Sequence, residues 1–278
     1  MANSTGLRAA VVSLVLLGLL LLVWYSATQP KERTQSNVSA EYAALMGGGT
    51  QTSNMPTPTQ VGKTIVEKLS HPFYDNGPND KGIGIQLAYS LGRVLIGFGL
   101  AALVAIPLGF VVGMSPIMHR ALNPYIQLLK PISPLAWMPL ALYIIKDSSI
   151  SAVFVIFICS LWPMLINTAH GVAAVKREWL NVAHTLEVNP LRKAFEVILP
   201  AAAPTILTGM RISMGIAWLV IVAAEMLVGG TGIGYFVWNE WNNLSLTNVI
   251  FAILMIGMVG MLLDMMFGIL SKLVAYRE

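Results

Sequence analysis

VAAVKREWLNVAHTLEVNPLRKAFEVILPAAAP, residues 172–204, is a charged, helix-patterned stretch set between two long apolar runs. Four of its apolar side chains recur at i, i+3, i+4 and i+7, which places them on one face of a helix: Trp179, Val182, Ala183 and Leu186. This periodicity predicts a first helix over residues 176–188. Asn189 and Pro190 then fit an N-cap followed by proline, which predicts a second helix that ends at Pro200 and Pro204. We therefore expect a compact two-helix knob that is attached at both ends to apolar runs.

The composition of the chain indicates a membrane protein. Of the 278 residues, 56% are hydrophobic and 11% are charged, and the mean hydropathy is +0.70. Soluble domains carry about 25% charged residues, so a chain this poor in charge is unable to cover a water-facing surface. The net charge of +4 is small and its basic residues lie largely in short loops, a pattern that reports membrane topology rather than nucleic-acid binding.

Six apolar runs are long enough to cross a membrane, since a helix needs about 20 apolar residues to span the hydrocarbon core. They lie at about residues 8–25, 91–114, 126–146, 150–170, 205–228 and 248–273. We therefore predict an all-α integral membrane protein with six transmembrane helices. The first run is longer than the apolar core of a signal peptide, about 7–15 residues, so we interpret it as an uncleaved helix and not as a cleaved signal.

These runs divide the chain into three parts. We predict an N-terminal transmembrane helix at residues 1–25, an extracytoplasmic polar loop at 26–86 and a core domain of five transmembrane helices at 87–278. The loop is rich in Gly, Thr, Ser, Asn and Pro, with one possible short helix at 59–69. Lys and Arg in short loops favour the cytosolic side, which places segment 172–204 and both termini in the cytosol.

Segment 172–204 resembles the cytoplasmic coupling loop of the inner-membrane permease subunits of ABC importers, the binding-protein-dependent transport family. The loop pattern of that family is Glu-Ala-Ala, three residues, Gly, nine residues, then Ile-x-Leu-Pro. The corresponding positions here are Asn181, Val182, Ala183, Glu187, Leu199 and Pro200. The spacing is intact and Ala183, Leu199 and Pro200 match, but Asn181 replaces the Glu of the pattern and Glu187 replaces its Gly. Because Glu adopts a left-handed backbone at greater cost than Gly, the resemblance leaves the geometry of the turn after Leu186 open.

The resemblance extends over roughly residues 87–274 and implies the type I ABC importer permease fold with a cytosolic coupling helix. The run GGTGIG at 229–234 and the run PTILTGMR at 204–211 fit the last part of the family core. A narrower similarity is carried by WMPLA at 137–141 and WNEWNN at 238–243. These runs resemble permeases for nitrate and nitrite or for bicarbonate, followed by those for sulfonate and taurine.

A subunit of this family is implied to be non-catalytic and to form the translocation pathway in the inner, cytoplasmic membrane. The implied partners are a second permease subunit (as a homodimer), two ABC ATPase subunits that are identical or different, and an extracytoplasmic solute-binding protein. We expect this chain to bind no cofactor, with ATP and Mg²⁺ held by the ATPase partners. The implied coupling contacts to the ATPase are Trp179, Asn181, Val182, Ala183, Leu186, Glu187, Leu199 and Pro200.

Four ionisable residues fall within or near the apolar runs, where a charge in lipid is costly: Arg93, Arg211, Glu225 and Asp264. Arg93 and Arg211, together with Asn167, are candidates to attract an anion along the pathway. For both arginines the alternative is ion pairing or reaching to the membrane interface. A negative charge would be out of place on an anion path, so Glu225 and Asp264 are expected to pair with arginines.

Two other classes of protein are alternatives to a transport subunit. A membrane-embedded redox subunit needs paired His residues for haem, and the four His residues here are scattered without metal-ligand spacing. For the same reason we predict no metal site. An independent channel would be distinguished by its failure to co-purify with an ATPase subunit.

Overall fold

The computed structural model describes residues 2–29, 31–32, 50–51, 55–77 and 79–274. Over these residues the regular structure is helical, apart from one short antiparallel pair formed by β1 (Lys31–Glu32) and β2 (Thr50–Gln51). The α-helices are α1 (Ala2–Ala27), α2 (Pro58–Ser70), α3 (Ile83–Met114), α4 (Pro116–Leu129), α5 (Pro134–Ile145), α6 (Ser148–Ala173), α7 (Arg177–Thr185), α8 (Pro190–Lys193), α9 (Leu199–Val228), α10 (Ile233–Asn242) and α11 (Leu246–Val274). A π-helical turn, Ala194–Ile198, joins α8 to α9. The predicted all-α class is confirmed.

Within the described residues, five helical segments are long and apolar enough to cross a membrane: Gly6–Ala27, Ile83–Met114, Ser148–Ala173, Pro190–Val228 and Leu246–Val274. The prediction of a single helix at 126–146 is wrong. Helices α4 and α5 meet there at 91°, so a sixth crossing exists only if this bent pair is counted as one span. The break follows from Pro131 and Pro134, because proline lacks a backbone N–H and disfavours a helical residue before it.

The contacts divide the chain into two compact units, residues 1–71 with 240–251 and residues 72–239 with 252–278. In the first unit, the indole N–H of Trp24 donates to the carbonyl oxygen of Pro56 at 3.2 Å. Helix α2 then begins with a capping box, in which the side chains and backbones of Thr57 and Gln60 bond reciprocally. The short helix predicted at 59–69 is confirmed by α2.

In the second unit, α3 packs along α6 and α6 packs along α9. Small residues on α3 repeat every four positions and are buried: Gly97, Ala101, Ala105 and Gly109. A methyl group added at Gly109 would lie 2.6 Å from Cβ of Thr168 on α6, which shows how closely the two backbones approach. Stripes of small residues at this spacing permit such contact between helices in membranes.

The second helix of segment 172–204 does not end at Pro200 and Pro204, as the sequence predicted. Helix α8, the π-helical turn and α9 form one continuous helical path from residue 190 to residue 228. Pro200 lies in the first turn of α9 and Pro204 lies inside the same helix. A π-helical turn changes the local hydrogen-bond spacing, and proline is tolerated in transmembrane helices because local adjustments satisfy the freed backbone groups.

Candidate functional site

Helix α7 is shorter than the predicted 176–188 because it ends in a Schellman motif. The N–H of Glu187 donates to the carbonyl of His184, and the N–H of Val188 donates to the carbonyl of Ala183, both at 3.1 Å. Glu187 accordingly adopts a left-handed backbone, with φ of 49°. Glycine is the usual residue at this position of the motif. The turn after Leu186 thus has the conformation that Gly favours, although Glu replaces it.

The next helix begins as predicted, with Asn189 accepting from the N–H of Leu191 at 3.3 Å and Pro190 at the first position.

We expect Glu187→Gly to stabilise segment 172–204 by about 1 kcal/mol, because glycine enters the left-handed region without the steric cost of a Cβ atom. Slower amide hydrogen exchange at residues 177–188 would report the gain. Glu187→Ala is the matched control, since alanine loses the charge but keeps Cβ, and its exchange should remain close to that of the original protein. Faster amide exchange in Glu187→Gly would contradict a steric cost of the left-handed backbone at Glu187.

The apolar face predicted for α7 is split between the interior and the surface of the chain. Ala183 is 4% exposed, whereas Trp179, Val182 and Leu186 are 44%, 59% and 71% exposed. The ammonium group of Lys176 lies 5.4 Å from the centroid of the Trp179 ring. We call the three exposed side chains the α7 patch. An exposed apolar patch rimmed by polar residues is typical of a protein contact surface.

A buried apolar cluster ties both ends of segment 172–204 to the long helices. Its buried members are Val172, Val175, Ile198, Ala202 and Ile206. Leu180 of α7, Leu199 of α9 and Phe110 of α3 pack against them. Because protein interiors are close-packed, this cluster connects α7 directly to the ends of α3, α6 and α9. Of the predicted coupling residues, Leu199 packs against this cluster, whereas Asn181 and Pro200 are exposed.

Arg93 and Glu225 form a mostly buried ion pair between α3 and α9, 2.7 Å from Nη1 to Oε1. Glu225 is only 2% exposed. The same guanidinium donates from Nη1 to the carbonyl of Thr231 at 2.7 Å and from Nε to Oγ of Ser149 at 2.9 Å. Arg93, predicted as an anion candidate, therefore has its charge balanced by Glu225 within the chain.

The loop GGTGIG at 229–234 is held by buried side chains of α3 and α9. Oε1 of Gln86 accepts from the N–H of Gly232 at 2.6 Å, and Oγ of Ser90 accepts from the N–H of Ile233 at 2.9 Å. Ser90 also donates to Glu225, whose Oε2 accepts from the N–H of Gly234 at 3.0 Å. A methyl group at Gly232 would overlap the Glu225 carboxylate. The carboxylate and this loop are therefore complementary in shape as well as in hydrogen bonding.

A second ion pair joins α9 to α11. Nε of Arg211 lies 2.6 Å from Oδ1 of Asp264, and Nη2 donates to Oδ2, so the contact is bidentate. Unlike the first pair, it is exposed in the isolated chain, with side-chain exposures of 46% and 54%. The third anion candidate, Asn167, donates from Nδ2 to the carbonyl of Pro163 at 2.8 Å. All three residues predicted to attract an anion thus have partners within the chain.

The sequence analysis missed a cavity of about 540 Å³ between the end of α3, helix α4 and the end of α6. Its lining includes four basic residues: His119, Arg120, Lys130 and His170. His119 and His170 are far apart in the chain and have no metal-ligand spacing. Helix packing brings them to one cavity, although no spacing rule links them. The only available signal in the sequence was the excess of basic residues near the ends of these apolar runs.

Comparison with known proteins identifies close relatives. A family model described as "Binding-protein-dependent transport system inner membrane component" matches residues 105–276. The nitrate import permease protein NrtB of Synechocystis sp. is 45% identical over 226 residues, which cover 81% of this chain and 82% of that protein. The bicarbonate transport system permease protein CmpB of the same organism is 44% identical over 208 residues, 74% of each chain.

Among solved structures, an inward-facing methionine ABC transporter, MetNI, aligns with a TM-score of 0.61. The alignment covers 68% of this chain and 94% of that chain at 12% identity, so it bears on the fold alone. The permease fold of ABC importers that the sequence predicted is thereby confirmed.

Proposed function

The chain belongs to the family of binding-protein-dependent transport system inner membrane components, and from this premise we propose that it forms the translocation pathway of an ATP-driven importer for nitrate or nitrite. The relatives named for nitrate and for bicarbonate support a small inorganic anion as the substrate. Bicarbonate is the second candidate because its permease is nearly as similar. A sulfonate or taurine substrate is more distant, since the taurine permease relative is 32% identical.

The α7 patch is the observation that carries the coupling part of this proposal. Its three apolar side chains are exposed, while the backbone beneath them is tied through the buried cluster to three long helices. We assign the patch to contact with an ABC ATPase subunit in the cytosol. ATP and Mg²⁺ reside in that partner, and this chain performs no hydrolysis of its own.

In this mechanism, closure of two ATPase subunits displaces α7, and the cluster passes that displacement to α3, α6 and α9. The helices then rearrange so that the translocation pathway opens alternately to one side of the membrane and to the other. A second copy of this chain completes the path, and a solute-binding protein delivers the anion from the extracytoplasmic side. Both termini lie in the cytosol, and the complex resides in the inner membrane.

The ion pairs within the apolar runs are also compatible with an anion as the cargo. Glu225 is neutralised by Arg93, and Asp264 is neutralised by Arg211. A carboxylate left unpaired on the path would repel nitrate and attract cations. Because each acid is paired with an arginine, neither leaves an unbalanced negative charge that would repel an anion.

Labelled nitrate uptake tests the assignment. In cells from which this chain is deleted, we expect ATP-dependent nitrate uptake to fall to background and to return when the chain is supplied again. Uptake of labelled bicarbonate and taurine should remain unchanged in the same cells. Normal nitrate uptake with loss of bicarbonate or taurine uptake would overturn the nitrate assignment, and uptake without an ATP requirement would favour a channel.

A further inference from the structure

We propose that the cavity between α3, α4 and α6 is a binding site for a small monovalent oxyanion at the cytosolic end of the pathway. This inference rests on the proposed function, because it takes the transported anion as the ligand. The site is separate from Arg93, Arg211 and Asn167, the residues that the sequence indicated. We call it the basic cavity, and its cations are Arg120 and Lys130 with His119 and His170 beside them.

The lining of the basic cavity has the chemistry of an anion site. Asn123 and Gln127 on α4 add amide donors to the basic groups. Among the described residues that line it, none is a carboxylate. Its volume of about 540 Å³ lies within the range of small-ligand pockets, about 300–1,000 Å³. The space suffices for a small anion that retains part of its water shell.

The two fixed cations of the basic cavity are available to a ligand. In the described part of the chain, the arginines at 93, 192 and 211 each form an ion pair with an acid. Arg120 and Lys130 form none there. Cations that converge on a cleft without an acidic partner raise the local concentration of anions. Both residues are exposed and border the cavity, and no acid in the described part of the chain balances their charge.

The residue types favour an oxyanion over other anions. The guanidinium of Arg120 presents parallel N–H donors that match two oxygens of one anion, and the ammonium of Lys130 adds a point charge. Val112, Leu165 and Ile166 form an apolar part of the wall. An apolar wall replaces water poorly, so it penalises divalent anions, which lose more hydration energy than monovalent ones. Nitrate, nitrite and bicarbonate each have oxygens that accept from these donors and carry a single negative charge.

The basic cavity is also linked to segment 172–204. On the last turns of α6, Val172 belongs to the buried cluster, while Ala169, His170 and Ala173 line the cavity. A motion of α7 that shifts the cluster therefore also shifts one wall of the cavity.

The test uses the assembled complex with its ATPase subunits in nanodiscs of phosphatidylcholine alone. Nitrate is titrated against gluconate at constant ionic strength, and binding is measured by calorimetry. We expect Arg120→Gln/Lys130→Gln to raise the Kd for nitrate by at least about tenfold, because hydrogen bonds to charged groups are lost. Arg120→Lys/Lys130→Arg keeps both charges and should restore most of the binding. The unfolding midpoint without nitrate verifies that each variant is folded.

The matched control removes two exposed cations elsewhere, Arg8→Gln/Lys272→Gln, and should bind nitrate like the original complex. Equal nitrate binding by the original complex and Arg120→Gln/Lys130→Gln would overturn the basic cavity while leaving nitrate uptake, and hence the proposed function, intact. If the original complex neither binds nor imports nitrate, the proposed function fails. The same titration with bicarbonate then tests whether the basic cavity binds an oxyanion. Weaker bicarbonate binding by Arg120→Gln/Lys130→Gln than by the original complex supports the site, and equal binding overturns it.

A lipid headgroup carries similar oxygens, so a further arm adds phosphatidylglycerol to the nanodiscs. If this lipid raises the unfolding midpoint of the original complex but not of Arg120→Gln/Lys130→Gln, and nitrate has no effect, the cavity is a lipid site and the inference is wrong. An effect of nitrate in phosphatidylcholine alone, lost in the double variant, supports the free oxyanion.

Discussion

Leu186→Glu is expected to uncouple ATP hydrolysis from uptake while leaving the protein folded. Leu186 is 71% exposed, so its replacement removes little packing within the chain. In the complex, however, the new carboxylate would be buried in an apolar contact with the ATPase, and an unpaired buried charge costs several kcal/mol. Labelled nitrate uptake in proteoliposomes should therefore fall by at least about tenfold, since each 1.4 kcal/mol is a factor of ten. ATP hydrolysis measured in parallel should lose its dependence on the solute-binding protein.

The control for this experiment is Val66→Glu on α2, a side chain with the same 71% exposure outside the α7 patch. It should leave both rates unchanged. Ala183→Glu is expected to uncouple as well, but Ala183 is 4% exposed, so that variant also disturbs the packing of α7 itself. If nitrate uptake and ATP hydrolysis remained coupled in Leu186→Glu, the assignment of the α7 patch to the contact with the ATPase subunit would be wrong.

Glu225→Ala should destabilise the folded chain by about 3–5 kcal/mol, because it leaves the mostly buried guanidinium of Arg93 without its counter-charge. It also removes the acceptor for Ser90 and for the N–H of Gly234, which releases the 229–234 loop. The free energy of unfolding in SDS titrations would report the loss. We expect anion uptake to decrease in proportion to the folded fraction.

Two further variants test the physical cause of that loss. Arg93→Met/Glu225→Met removes both charges and should recover much of the stability, because an apolar pair often replaces a buried ion pair without net cost. Asp75→Ala breaks the pair with Lys81, in which the carboxylate side chain is 51% exposed rather than 2%, and should change stability little. Here the hydrogen bond from Lys81 lowers the pKa of Asp75, so the contribution of this pair is present above the ordinary pKa and is lost as the pH falls. Similar losses in Glu225→Ala and Asp75→Ala would contradict the role of burial.

Much of the fold and part of the candidate site follow from local patterns in the sequence. The apolar runs predicted membrane helices, and the loop composition predicted α2. The spacing of segment 172–204 predicted helix α7 with its apolar face and the start of the next helix at Asn189, but not which residues of that face are exposed. Two errors arose at prolines: Pro131 and Pro134 broke a predicted span, while Pro200 and Pro204 did not end a predicted helix. A third arose at Glu187, where a left-handed turn ends α7 earlier than predicted. Whether proline breaks a helix depends on its position in the turn and on neighbouring groups that satisfy the backbone.

The amino-acid sequence by itself determined the membrane class, the helical runs and the spacing of the coupling segment, because hydropathy and helical periodicity depend on residues that are close in the chain. Only the tertiary structure decided that Arg93 pairs with Glu225, 132 positions away, and that Arg211 pairs with Asp264, 53 positions away. It also brought His119 and His170 to one cavity. These outcomes depend on which helices become neighbours, and the close approach of α3 to α6 along small side chains sets that arrangement.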